Sequence, residues 1–234
     1  DQSMCRVFLL DDVKFFLRGK LFSSGTQTVM NSSLPTTLVI GTTNLAKQQE
    51  ISGLLDPYKI KCKSLRDFTS AVSVAETGST FAENAALKAV QQAQALNHWV
   101  LAEDSGLVVD AIEGSPGVYS ARFAGPQATD AENNTLLIVR LAQTPHARRI
   151  AYYACHATLA APDGTIQATA DGRCYGHIAK SARGKSGFGY DPYFIISEYH
   201  QTFGELSQAV KSLISHRGRA IRSIIPMIVK SLTP

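Results

Sequence analysis

The sequence predicts an α/β fold built on a mixed β-sheet, and three observations predict it. Strand and helix signals alternate from Thr37 onward. The run from Asn84 to Ala95 has the Ala-rich composition of a helix. Two strand-like segments flank Pro162-Asp163-Gly164, a turn-forming triplet. Alternating β and α elements bring strands together in parallel, whereas a hairpin adds an antiparallel pair, so the sheet is expected to contain both.

Taken in order, Thr37-Leu38-Val39-Ile40 reads as a buried strand. A Gly/Thr/Asn loop follows, then a helix with Ile51, Leu54 and Leu55 on one face. Thr80-Phe81-Ala82-Glu83 has the form of a capping box ahead of the Ala-rich helix. Trp99-Val100-Leu101-Ala102 is the next strand, and Ile150 to Ala161 with Thr165 to Ala170 form the hairpin. A second capping box, Thr202-Phe203-Gly204-Glu205, predicts another helix start, and Ser215 caps a last helix carrying Ile221, Ile224, Ile225 and Ile228. There is no internal repeat and no low-complexity tract.

With 234 residues, 44% of them hydrophobic, the chain can bury a sizeable core as one domain or two tightly joined lobes. The net charge of +4 and pI of 8.9 favour anionic ligands. The Lys and Arg residues are scattered rather than striped, so a phosphorylated small molecule fits better than a nucleic-acid polymer. Cys5, Cys62, Cys155 and Cys174 form no Cys-x-x-Cys pair, which argues against a zinc site or disulfide framework. No apolar stretch approaches the roughly 18 residues of a membrane span, and Val7-Phe8-Leu9-Leu10 is stopped by Asp11-Asp12, short of a signal-peptide core. A reduced cytoplasmic location is the default expectation. Residues 1–36 differ in character from the rest and read as an extension or leader, with Met30 a candidate start, ahead of one domain over 37–234.

Several segments carry possible chemistry. Gly41-Thr42-Thr43-Asn44-Leu45-Ala46-Lys47 joins a strand to a helix, so free N–H groups and the positive end of the helix dipole face whatever binds there, and Lys47 adds a cation. The same residue types also serve as ordinary loop and N-cap residues. Glu76 stands before a turn from which it can point into a cleft, and Lys88 shares a helix face with Asn84, though a surface Lys is commonly only solvated. Glu83 is explained by its capping position. Glu103-Asp104-Ser105-Gly106-Leu107 follows a strand directly, at the strand end where α/β proteins build ligand sites. Adjacent acids there are either solvated in a turn or joined by a hard cation such as Mg²⁺.

Arg183-Gly184-Lys185-Ser186 resembles the end of a P-loop, but Ala179 stands where the first Gly belongs, and Gly187-Phe188-Gly189-Tyr190-Asp191-Pro192 cannot open a helix. That stretch instead suits close approach to a flat ligand, with Phe188 or Tyr190 able to stack on a base, or it is an aromatic-lined turn. Ser215-His216-Arg217-Gly218-Arg219, with Lys211 before it, groups donors suited to an oxygen-rich ligand or to a solvated helix start.

In their joint order, over roughly Leu38 to Ile228, these motifs resemble the inosine triphosphate pyrophosphatase family, the dITP/XTP pyrophosphatases. The resemblance rests on Gly41 to Asn44 with Lys47, Glu76-Thr77-Gly78 with Thr80 to Ala85, Glu103 to Leu107, Gly114 to Gly125, Gly187 to Pro192, and Lys211 with Ser215 to Gly218. It implies a two-lobed α/β fold around a long mixed central sheet flanked by helices, a homodimer, and Mg²⁺ in the cleft. On matching positions it implies that Thr42, Thr43, Asn44 and Lys47 hold the triphosphate and that Glu76 and Asp104 bind metal, with Asp104 also the proton acceptor. Ser105, Phe188, Gly189, Tyr190, Asp191, Lys211, His216 and Arg217 would contact nucleotide, and Lys88 would be a further cation near the phosphates. Glu103 stands where the bacterial pattern usually has Asp, and Ser212 where Asn is common. A longer carboxylate at Glu103 could assist catalysis through a water near the metal, its side chain turned to the opposite strand face from Asp104.

The expected reaction is attack of water on the α-phosphorus of ITP, dITP or XTP, releasing monophosphate and pyrophosphate. Two alternatives are a nucleotide-binding regulator that does not hydrolyse, and a house-cleaning pyrophosphatase for modified pyrimidine nucleotides.

Overall fold

The computed structural model describes residues 37–233. The leader expected over 1–36, including Cys5 and Met30, lies outside the described residues. Seven strands form one sheet in the order β2-β1-β3-β4-β5-β6-β7. Strand β1 (Leu38–Ile40) pairs in parallel with β2 (Cys62–Ser64) and β3 (Trp99–Val109). The remaining pairings, through β4 (Ile150–Ala160), β5 (Ile166–Ile178), β6 (Phe194–Ile196) and β7 (Gln201–Thr202), are antiparallel. The sheet is mixed, as the alternation and the hairpin predict, and the hairpin turns at Pro162-Asp163-Gly164, where Asp163 accepts from Thr165 N.

Helices cover both faces. Helix α2 (Phe81–Leu96) lays Ala89 and Ala93 on Val100, Ala102 and Ala160. Its small side chains let the helix approach closely. On the other face, α1 (Leu45–Leu55) and α5 (His216–Leu232) pack Ile51, Leu55, Ile221, Ile224, Ile225 and Ile228 against Leu38, Ile40, Leu101 and Leu159. The i, i+3, i+4, i+7 spacing of the four isoleucines makes that stripe, and burying each contributes about 1.5–3 kcal/mol. Helices α3 (Asp130–Arg140) and α4 (Gln208–Ile214) complete the chain.

Four local expectations change. The Glu103 to Leu107 segment does not follow a strand end. It lies inside β3, which runs on to Val109 because β4 pairs with it along the whole of that length. The Thr202–Glu205 box forms its hydrogen bond, Thr202 N donating to Glu205 Oε2 at 2.8 Å, but it closes a turn; α4 starts later, capped by Ser207. At Thr80 the cap is one-sided: Thr80 accepts from Glu83 N, while the Glu83 carboxylate reaches back to Ser79. The second hairpin strand also extends eight residues beyond Ala170, to Ile178.

One consequence positions the site. Strand β1 ends at Ile40, its last rung being Gly41 N to Leu101 O at 2.8 Å, while β3 continues. From Ala102 to Leu107 the β1-side edge of β3 has no strand partner among the described residues. Ligands of open α/β sheets lodge at such strand termini.

Candidate active site

Along β3 the alternation of side chains sorts two sets. Leu101, Glu103 and Ser105 face α5, whereas Ala102 and Asp104 face α2. The apolar pattern of each face is broken only around Glu103 to Gly106, beside the open edge. Glu103 and Asp104 therefore do different work.

On the α2 side, Lys88 Nζ lies 2.8 Å from Asp104 Oδ1 and 3.1 Å from Glu76 Oε1. Arg122 Nη1 is 3.0 Å from Glu76 Oε2, and Asn84 Nδ2 donates to Asp104 Oδ2 at 3.4 Å. Burial raises the Asp104 carboxyl above its ordinary value, against the pull of Lys88. Burial also acts upward on Glu76, but Lys88 and Arg122 outweigh it and hold that group low.

On the α5 side a chain of ion pairs runs across the site. Glu103 Oε1 meets Lys47 Nζ at 3.0 Å and Arg217 Nε at 3.3 Å. Arg217 continues to Glu50, Glu50 Oε1 to Lys211 Nζ at 2.8 Å, and Lys211 to Asp191 Oδ2 at 2.6 Å. Burial would raise the wholly enclosed Glu103 carboxyl, yet Arg217, Lys47 and Lys88 together hold it well below the usual range. Cys155 Sγ lies 3.5 Å from Glu103 Oε2, its thiol kept protonated mainly by burial.

Between these groups opens a cavity of about 110 Å³ lined by Asn44, Lys47, Ser105, Phe188, Lys211, His216 and Arg217 among others. Arg217 Nη2 donates to Ser105 Oγ at 2.9 Å. The Phe188 ring lies 4.7 Å from Lys211 Nζ and 5.6 Å from the Arg217 guanidinium carbon. Tyr190 is buried with its hydroxyl spent on Ser120 O at 2.7 Å, which leaves the half-buried Phe188 as the ring of this turn open to a ligand from the cavity it lines. His216 stacks on Tyr153 with centroids 4.6 Å apart. Burial and the neighbouring Arg217 keep its imidazole neutral, and its Nδ1 is buried with no hydrogen-bond partner. His216 itself lines the cavity, and leaving a buried polar atom such as its Nδ1 unpaired costs about 1–3 kcal/mol.

The sequence-named residues thus gather in two adjoining groups. Asp104, Glu76 and Lys88 stand together on one side of β3; Lys47, Glu103, Ser105, Lys211, His216, Arg217 and the Phe188–Asp191 turn stand on the other. Thr42 and Thr43 lie in the loop at the start of α1, and the Asn44 side chain caps that helix through Lys47 N at 3.1 Å. Lys185 is exposed in a segment without helix, in keeping with rejection of the P-loop. Sequence reasoning missed Glu50, although it sits three residues after Lys47 on the same helix, and it assigned no role to Arg122. Missed also was α3, despite the reciprocal capping box of Thr129 and Glu132.

Glu50 carries a testable pH dependence. Burial pushes its carboxyl up, but Arg217 and Lys211 prevail and hold it below its ordinary value of 4.5. A depressed folded-state pKa stabilises the fold fully above the unfolded value and loses that contribution as pH falls through the folded one. Thermal melts of Glu50→Gln should therefore lie below wild type at neutral pH, with the gap narrowing below about pH 4.5. A gap independent of pH down to 3 would show that the ion pairs contribute nothing.

Residues 38–227 match the model of the Ham1 family. The chain is 48% identical over 193 residues to a dITP/XTP pyrophosphatase of Rhodopirellula baltica, covering 82% of this chain and 93% of that protein. To a dITP/XTP pyrophosphatase of an Exiguobacterium species it is 46% identical, covering 82% and 96%. The fold superposes on a HAM1 protein from Coxiella burnetii with a TM-score of 0.76 at 35% identity, over 83% of this chain and 99% of that one. For the Staphylococcus aureus Ham1 protein the TM-score is 0.74 at 35% identity, over 84% and 100%. With the family model spanning most of the chain and relatives near half identity, the protein belongs to the Ham1 family.

Proposed function

We propose that this chain hydrolyses non-standard purine nucleoside triphosphates such as ITP, dITP and XTP to the monophosphate and pyrophosphate. The observation that carries the reading is the adjacency of two sites. A Phe188-walled cavity lined by Lys211, His216 and Arg217 adjoins the Asp104–Glu76–Lys88 cluster across a single strand. The relatives named dITP/XTP pyrophosphatase support the same reading.

In this mechanism the purine slots beside Phe188. Lys211, His216 and Arg217 supply hydrogen-bonding groups near its 6-oxo oxygen, an acceptor where adenine presents a donor. ATP would leave such donors unpaired, and a site built to bond a polar group can reject the wrong one by about 10⁴–10⁵. Lys47 and the N–H groups at the start of α1 face the phosphates. Asp104, made more basic by burial, accepts the proton of the water that attacks the α-phosphorus, and Lys88 beside it stabilises charge on the departing pyrophosphate.

A divalent cation fits the acid cluster. Carboxylates of Asp104 and Glu76 converge on one ammonium, that of Lys88, so the space between them suits a cation. Among the described residues no group of three or more His, Cys, Asp or Glu side chains gathers to cage a metal. Mg²⁺ characteristically uses one or two carboxylates and completes its shell with phosphates and water. Each cation named here already faces a carboxylate, so a triphosphate calls for further positive charge. When bound, Mg²⁺ would supply that charge and polarise the phosphoryl group.

A homodimer is part of the proposal: Ile150 and Tyr175 stand exposed on β4 and β5, with Tyr152 packed beside Tyr175, and offer a surface for self-association. A cytoplasmic location is also part of it, and among the described residues no helix is long and apolar enough to cross a membrane.

The test is product release from ITP, XTP, GTP, ATP and dUTP with and without Mg²⁺. Pyrophosphate and monophosphate should appear from ITP and XTP, be lost with EDTA, and be far slower from ATP and GTP. Orthophosphate and a diphosphate as primary products would overturn the α-phosphorus mechanism, and preference for dUTP would favour the pyrimidine alternative.

A further inference from the structure

Both walls of the purine cavity are hydrogen-bonded to one helix, α3, which supplies none of the ion pairs described above. On one side, Asn133 Oδ1 accepts from Ala124 N at 2.8 Å and Asn133 Nδ2 donates to Ala121 O at 3.2 Å. This fixes the segment that brings Ser120 and Ala121 to the cavity. On the other side, Asp130 Oδ2 accepts from Gly189 N at 2.6 Å and Asn134 Nδ2 donates to Gly189 O at 2.9 Å. The N–H and the carbonyl of one residue, next to Phe188, are thus both held by side chains one turn apart on α3.

The restraint matters because Asp191 Oδ2 accepts from Phe188 N at 3.0 Å and closes the turn on itself, whereas Gly189 N and O are held, among the described residues, only through α3. Gly187 and Gly189 have φ of 78° and 61°, in the left-handed region that glycine enters freely, so the turn has many alternatives when untethered. Helix α3 itself is firm, with its reciprocal cap at Thr129 and Glu132 and with Asn133, Asn134 and Leu137 buried. We infer that Asp130, Asn133 and Asn134 are positioning residues that hold the two cavity walls at one separation and orientation, and thereby set the discrimination between purines that differ at C2.

This inference rests on the purine-triphosphatase reading. Hypoxanthine and guanine differ by a single 2-amino group. Guanine is disfavoured when that donor meets a wall whose polar atoms cannot turn to accept it, at the desolvation cost of an unmade hydrogen bond. A loosened wall can rotate a carbonyl toward it. Losing the tether should therefore cost selectivity before it costs turnover.

The experiment measures kcat/KM for ITP and for GTP, with melting temperatures, in wild type, Asp130→Ala, Asp130→Asn and Asn134→Ala. The ITP-to-GTP ratio should fall by about fivefold or more in both alanine variants, the equivalent of one net hydrogen bond, with kcat for ITP largely kept. Asp130→Asn retains an accepting oxygen for Gly189 N and should restore the ratio. A parallel fall for both nucleotides tracking a lower melting temperature, or an unchanged ratio, would overturn the inference. Failure of wild type to cleave ITP would overturn the activity itself and this inference with it.

Discussion

Asp104→Asn should abolish pyrophosphate release from ITP, lowering kcat by at least about 10³-fold at every Mg²⁺ concentration. Asparagine keeps the shape of the side chain, and the neighbours at Lys88 and Asn84 can still be accommodated, so the fold should survive. What disappears is a negative charge and the carboxylate that burial makes more basic, on the α2 face of β3 at the open edge. The effect on catalysis is therefore chemical, and extra metal cannot return a proton acceptor. Steady-state rates across a Mg²⁺ titration, with circular dichroism to check folding, decide it. A residual rate within tenfold of wild type, or recovery at high Mg²⁺, would place proton acceptance on another group.

Glu103→Gln should act mainly on stability, in contrast to its neighbour. The carboxylate has no exposed side-chain surface, and its two oxygens are taken by Lys47, Arg217 and Cys155. Removing one member of a buried ion pair costs about 3–5 kcal/mol, because the remaining charge stays buried. Arg217 keeps its contact to Glu50, which places the cost toward the lower end, and the melting temperature should fall by on the order of 10 °C. The Glu103 oxygens pair with Lys47, Arg217 and Cys155, on the strand face opposite Asp104, so a stability effect is expected alongside any action through a water near the metal. Activity should drop as Lys47 and Arg217 lose their anchor, without rescue by added Mg²⁺. A variant that melts like wild type and regains its rate with metal would restore the metal-side role.

Helices and strands whose signal is local were legible. The Ile221 to Ile228 stripe and the Asn84 to Ala95 run needed only helical periodicity and propensity, and the 162–164 turn needed only its composition. The length of β3 was not legible from its own residues. Gly106 and two acids read as a loop, and pairing with β4, about 50 residues on, made them strand. Helix α3 had a legible start at Thr129, but the grip of Asp130 and Asn134 on Gly189 spans more than 50 residues and leaves no local trace.

The same division holds for the site. Residue types in order along the chain determined which groups carry chemistry: the loop before Lys47, the acids at 103 and 104, and the cations at 211 and 217. Those properties belong to the side chains wherever they sit. Only the tertiary structure decided which acid meets which cation, since alternation along β3 sends Glu103 to Arg217 and Asp104 to Lys88. It also brought Glu50, unnoticed in sequence, between two cations 161 and 167 residues away. Charge pairing depends on distance in space and on burial, and neither is a property of position along the chain.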